Sequence, residues 1–151
     1  MRSRVLDEGD RDLVARLVGT DPVAHCFIAS RVVAGVLNAE GPGELWGFPA
    51  AAPSALLHVG ANLVPLGVDA AARDAFVADL GRWRGCVAIV GLSGEALPLW
   101  HALAARWGEA YARVRLVRER QWLMALAGPS RVPPDPRVRP VRPTGPGPRA
   151  R

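Results

Sequence analysis

Between Glu44 and Gly67 three short apolar runs follow one another: "ELWGF" (Glu44–Phe48), "ALLHVG" (Ala55–Gly60) and "NLVPLG" (Asn62–Gly67), with glycine, proline and serine between them. Runs of this length bounded by turn formers read as strands, and short connections oblige successive strands to fold back on one another. The segment therefore predicts an up-and-down meander. Pro65 has no N–H to give to a ladder, so the third run is expected at a sheet edge or a broken ladder.

A sheet of this size has apolar faces to cover, and the flanking segments supply helices. Arg2–Leu6 reads as a short first strand. Asp10 is the expected N-cap of a short helix carrying Leu13, Leu17 and Val18 and ended by Gly19. Asp21 and Pro22 open a second helix, "VAHCFIASRVVAGVL", which is apolar on several faces. After the meander, Asp69 caps a helix whose Ala72, Phe76, Leu80 and Trp83 fall at spacings of four, four and three. "CVAIVG" (Cys86–Gly91) then reads as a strand buried on both faces. Ser93 caps a further helix with Leu97, Trp100, Ala104 and Trp107 facing inward and Gly108 as its stop. "VRLV" and "RQWLMALA" are expected as the last two strands.

The predicted order is β-α-α-β-β-β-α-β-α-β-β, an α/β (α+β) fold with one mixed sheet and helices on its faces. With 151 residues, half of them hydrophobic, the chain accommodates one ordinary domain. Its expected extent is residues 1–128. From residue 129 onward, eight of the 14 prolines occur in 23 residues, so 129–151 is expected to be a Pro/Arg-rich linker or tail.

The charge divides along the same boundary. All 19 basic side chains are arginines, and the net charge is +5. Residues 131–151 hold six arginines against Asp135, which is +5, whereas residues 1–130 hold 13 arginines against 13 acids. A nucleic-acid-binding face needs clustered positive charge on the folded body, and the body has no excess. Nucleic acid is accordingly not an expected partner, and that reading rests on the tail alone. No run approaches the roughly 18 apolar residues of a membrane span, and no apolar segment of signal-peptide length follows the N-terminus, so a cytoplasmic protein without a membrane partner is expected.

Residues able to carry chemistry are few. Cys26 and Cys86 lie 60 positions apart without metal-ligand spacing and read as two buried, reduced thiols. His25, His58 and His101 have no acidic or cysteine neighbour at a spacing that builds a triad or metal site, and each reads as an ordinary core or surface histidine. Ser93 stands in "GLSGE", which lacks the G-x-S-x-G pattern of a nucleophile elbow. "GANLVPLGVD" places a turn before a helix start, where backbone N–H groups can hold an anion, but two glycines alone do not build a pyrophosphate cradle. Trp83, Trp100 and Trp107 are expected to pack in the core, while Trp46 and Trp122 fall in predicted strands.

In order along the chain, "DPVAHCFIASRV", "GELWGF", "GANLVPL", "IVG" followed by "LPLWHAL", and "PPDPRVRPVRP" resemble the N-terminal domain, of unknown function, of two-domain GNAT-family N-acetyltransferases from high-GC bacteria. The likeness runs from about Val5 to Pro143. It implies a GNAT-like N-acyltransferase fold and, in such relatives, a second and catalytic GNAT domain after the stretch matching "DPRVRPVRP". Here eight residues follow Pro143. The resemblance further implies an acetyl-CoA loop of pattern [R/Q]-x-x-G-x-[G/A] between the fourth strand and its helix. The matching "PLGVDAAARD" has one glycine, no preceding arginine or glutamine, and Asp69 at the helix entrance, where a carboxylate repels a pyrophosphate. The only tyrosine, Tyr111, lies beyond the segment that commonly supplies a general acid in such enzymes.

The expected function is therefore that of an accessory or substrate-contacting domain of a GNAT-type protein, with a degenerate cofactor loop and no catalytic residue of its own. Its expected partner is a GNAT catalytic domain or a second copy. One alternative is a small active acetyl-CoA-dependent N-acetyltransferase that binds its cofactor between splayed central strands, with Asn62, Leu63, Val64, Val90 and Gly91 as the candidate contacts; a second is a nucleic-acid-associated module acting through the Arg-rich tail. No metal ligand set is expected.

Overall fold

A computed structural model describes residues 2–82, 85–129 and 131–138. The three runs form the expected meander. β2 (Glu44–Phe48), β3 (Ala55–Val59) and β4 (Asn62–Leu66) pair antiparallel in sequence order, with Leu45 opposite His58 and His58 opposite Val64. β1 (Arg4–Val5) adds antiparallel to β2, and β5 (Ala88–Ile89) adds parallel to β4, closing a five-stranded mixed sheet of order β1-β2-β3-β4-β5.

Period-two alternation decides which core each residue joins. Phe48, Ala55, Leu57 and Leu63 face one side, where α3 (Ala70–Leu80), α4 (Ser93–Trp107) and α5 (Glu109–Ala112) contribute Phe76, Val77, Leu99, Leu103 and Tyr111. Leu45, Leu56, Val64 and Leu66 face the other side, covered by α1 (Arg11–Gly19) and α2 (Cys26–Val33) through Val14, Val18 and Ile28. Fully burying each such Leu, Phe or Val contributes about 1.5–3 kcal/mol. The runs at β3 and β4 are apolar at nearly every position because both faces of the sheet are covered.

Pro65 lies in β4, an inner strand, so its effect is a broken ladder and not an edge position. Val87 N–H donates to Ala61 O at 2.8 Å and Val90 N–H to Leu63 O at 2.9 Å, so the odd-numbered residues of this strand turn their backbone toward β5. Pro65 is next in that series and has no hydrogen to give. Pairing stops at Leu63 opposite Ile89, and the two strands part from there.

Several local expectations are corrected. Asp10 does not cap α1; its carboxylate takes the Arg4 guanidinium at 2.7 and 2.6 Å and the Asp7 N–H at 3.1 Å, while Asp7 caps a 3-10 turn at Glu8–Asp10. Asp21 caps a turn through Val23 N–H and Ala24 N–H, and regular helix begins only at Cys26. Ser93 is the first residue of α4 and makes no cap bond. The "CVAIVG" run pairs over two residues only, with Val87 and Val90 exposed, because β5 borders solvent beyond its one neighbour. The most buried line of α4 is Leu99–Leu103, with Leu97, Trp100, Ala104 and Trp107 half-buried beside it, since "ALPLWHALAARW" is apolar around most of its circumference. Cys86 is buried as expected, but Cys26 is exposed. Trp83 lies outside the described residues.

The last two predicted strands do not form. α5 takes the place after Gly108 and buries Tyr111; "VRLV" and "RQWLMALA" carry no strand, and Leu116, Trp122, Met124 and Leu126 are exposed. Strand propensity becomes structure only where an edge is available to pair with, and β5 offers two residues. Among the described residues no helix is long and apolar enough to cross a membrane.

Candidate functional site

Two of the places where the sheet brings polar groups together lie at the two ends of β4. The first is the gap where β4 and β5 part, the position at which the alternative of a small active acetyltransferase would bind its cofactor. Val64, Pro65 and Leu66 form one wall, Gly91, Leu92 and Glu95 the other, and Ala24, His25 and Ile28 of the α2 side close it. The cavity is small, about 10 Å³. Gly91 has come against the Pro65 ring; a Cβ on Gly91 would stand 3.3 Å from both Cδ and Cγ of Pro65.

Carboxylates occupy the backbone amides beyond this gap. Gly67 N–H donates to Glu95 Oε1 at 3.2 Å, and Ala72 N–H, in the first turn of α3, donates to the Asp69 carboxylate at 2.8 Å. Asp69 therefore does what the sequence indicated, capping a helix of 11 residues. An incoming phosphate would have to displace one or both carboxylates and meet their charge.

Of the candidate contacts, Val64 and Gly91 line this closed gap. Leu63 is buried in the α3/α4 core and Val90 is exposed. Asn62 lies at the opposite end of β4, in the second place.

That second place is an open chamber of about 500 Å³ lined by Phe27 and Arg31 of α2, Pro42, Gly43, His58, Gly60, Ala61 and Asn62. His58 is only 3% exposed and stands in the apolar row Leu45–His58–Val64 under α2. Its Nδ1 lies 3.1 Å from the carbonyl oxygen of Asn62. A carbonyl only accepts, so Nδ1 carries the hydrogen and Nε2 presents its lone pair when the ring is neutral. Nε2 has no hydrogen-bond partner, nor does Nε of Arg31. A buried polar atom left unsatisfied costs about 1–3 kcal/mol. The Phe27 ring meets His58 edge-on at 5.4 Å, and the Arg31 guanidinium lies over Phe27 at 5.2 Å, so the three side chains are held against one another.

The backbone at the chamber floor is glycine for a steric reason. Gly43 has φ +101°, and a Cβ there would stand 2.6 Å from Val59 O and 3.3 Å from His58 Nε2. A Cβ on Gly60 would stand 3.0 Å from His58 Cε1. Side chains at either position would press on the imidazole.

The other singled-out residues are structural. His25 Nδ1 lies 3.1 Å from Val18 O, joining α2 to α1, and His101 is exposed beside the Trp100 ring. Trp100 Nε1 donates to Tyr111 O at 3.0 Å and Trp107 Nε1 to Val77 O at 2.9 Å, which fixes α4 against α5 and α3. Trp46 packs against the same core with its Nε1 on Glu44, whereas Trp122 is exposed. The sequence singles out neither Arg31 nor Phe27, and His58 reads from it as an ordinary core or surface histidine. The available signal was a single histidine inside "ALLHV", where every neighbour on both faces is apolar.

A domain of unknown function, DUF4081, matches residues 43–145, about two thirds of the chain. Searches of curated proteins and of solved structures return no match. The matched span takes in the meander, both strands bordering the gap and the His58 side of the chamber, and the chain belongs to the DUF4081 family.

Proposed function

We propose that this domain is a non-catalytic, GNAT-like accessory domain of an acetyltransferase-type protein, one that lost the acetyl-CoA site while keeping the sheet around it. The observation carrying this reading is the pair of carboxylates on the backbone amides past β4, Glu95 on Gly67 N–H and Asp69 on Ala72 N–H. The parting of β4 and β5 supports the GNAT-like element of the reading, and the Pro65–Gly91 contact that fills the gap supports its inactivity. On this reading the domain acts through a partner, either a GNAT catalytic domain or a second copy, and contributes surface and not chemistry.

Titration with acetyl-CoA tests it, followed by melting temperature and by the backbone amide signals of Gly67 and Gly91. No saturable change at those two amides is expected. A dose-dependent rise in melting temperature accompanied by saturable shifts at Gly67 and Gly91 would revive the alternative of a small active acetyltransferase, and turnover of acetyl-CoA with amine substrates would then decide for it.

A further inference from the structure

We propose that the chamber between α2 and the β3–β4 turn is a binding site for a small organic oxyanion, a carboxylate or phosphate ester whose body is apolar. The inference does not depend on the state of the acetyl-CoA gap, which lies at the other end of β4.

Four independent features point to such a ligand. Arg31 contributes a guanidinium that no carboxylate pairs with among the described residues, and its buried Nε lacks an acceptor. His58 is more than nine-tenths buried, yet its Nε2 lacks a partner although Nδ1 is anchored on Asn62 O. The volume, about 500 Å³, suits a small molecule. Apart from Asn62, the remaining walls are apolar or backbone: Phe27, Pro42, Ala61 and the two glycines whose Cβ atoms would crowd the imidazole.

The chemistry of the two polar groups selects the ligand. A guanidinium only donates, and it pairs most strongly with the oxygens of a carboxylate or phosphate. Nε2 accepts from a hydroxyl or protonated oxygen when neutral and donates to an anionic oxygen when protonated. A single oxyanion group pairs with the Arg31 guanidinium, and it reaches a hydrogen bond with His58 Nε2 as well when one proton is held by the imidazole or by the ligand. A neutral apolar ligand would leave Arg31 Nε and His58 Nε2 as they are, without partners. A cation would be repelled by Arg31. Phe27, already fixed by His58 and Arg31, gives the ligand body an aromatic wall.

The test uses the full chain with benzoate, phenyl phosphate and, as the neutral control, benzyl alcohol, all at constant ionic strength. Imidazole nitrogen signals of His58 and amide signals of Gly43 and Gly60 are followed by NMR. Saturable shifts at all three residues with benzoate or phenyl phosphate below roughly 10 mM, absent with benzyl alcohol, are expected. Comparison of the two anions distinguishes a carboxylate site from a phosphate site. Arg31→Gln is expected to weaken anion binding about ten-fold or more. Should that variant not fold, the anion-against-alcohol comparison on the unaltered chain decides by itself. Absence of shifts with either anion, equal shifts with benzyl alcohol, or undiminished affinity in a folded R31Q protein would each overturn the proposal.

Discussion

At the scale of the residue, the same side-chain type serves different ends according to what it meets. Asp10 was expected at a helix start, but Arg4 reaches it with two short hydrogen bonds and simultaneously donates to Ala50 O at 2.7 Å, tying β1 to the turn after β2. The Arg4 hydrogen bonds hold the Asp10 carboxyl below its ordinary value of 3.8, outweighing its partial desolvation. Because the folded form takes up the proton less readily than the unfolded chain, the stabilisation is present above that ordinary value. It is lost as pH falls through the lower folded value. The Arg4 side chain is 37% exposed, so solvent screening limits the pair to about 1 kcal/mol or less. Asp10→Asn is expected to lower the unfolding free energy by that small amount at neutral pH and to flatten the loss of stability in acid, as measured by urea titrations across pH. Phe76 is a harsher case. It is fully buried and meets Phe48 at 6.3 Å, so Phe76→Ala should cost about 3–5 kcal/mol. An unfolding free energy, from urea titration, that falls by less than a third of this would mean that α3 is not seated on the sheet as described.

At the scale of the element, what was legible in the sequence followed how local the cause is. The meander was readable because turn chemistry and apolar runs act within a few residues, and its three strands lie where the runs lie. The α3 start was readable for the same reason: the Asp69 carboxylate accepts from an amide three positions on. Asp69→Ala should remove that cap at a cost of about 1 kcal/mol, visible as a lower melting temperature. If the carboxylate also shields the β4–α3 amides from anions, the same variant should show weak new phosphate-induced shifts at Ala72. The last two strands failed the reading because a strand is a pair, and "RQWLMALA" cannot reveal whether an edge waits for it. Pro65 was half readable: that a ladder breaks there follows from its chemistry, but which ladder depends on where β5 lies.

At the scale of the whole molecule, the net charge lies in residues 131–151, whereas among the described residues both cores are built from positions 6–111. Residues 1–130 balance to zero and the rest carries +5. Arg137, exposed and paired with its neighbour Asp135 at 2.7 Å, adds nothing to either core. Removal of residues 129–151 is therefore expected to abolish retention on a cation exchanger and leave the helix and sheet signals of circular dichroism unchanged. A loss of folded signal on that deletion would show that the two-faced core is incomplete without the segment.

The sequence by itself determined the meander, the capped α3, the stop at Gly108 and the partition of charge, because periodicity, caps and composition are properties of neighbouring residues. Tertiary structure alone decided that Gly91 packs against the Pro65 ring where β4 and β5 part. It alone decided that Glu95, 28 positions away, sits on the Gly67 amide, and that Arg31 and His58 share one chamber. Those outcomes depend on contacts between segments distant in sequence, and a histidine or arginine looks the same in a sequence whether its far side meets a leucine or an unfilled space.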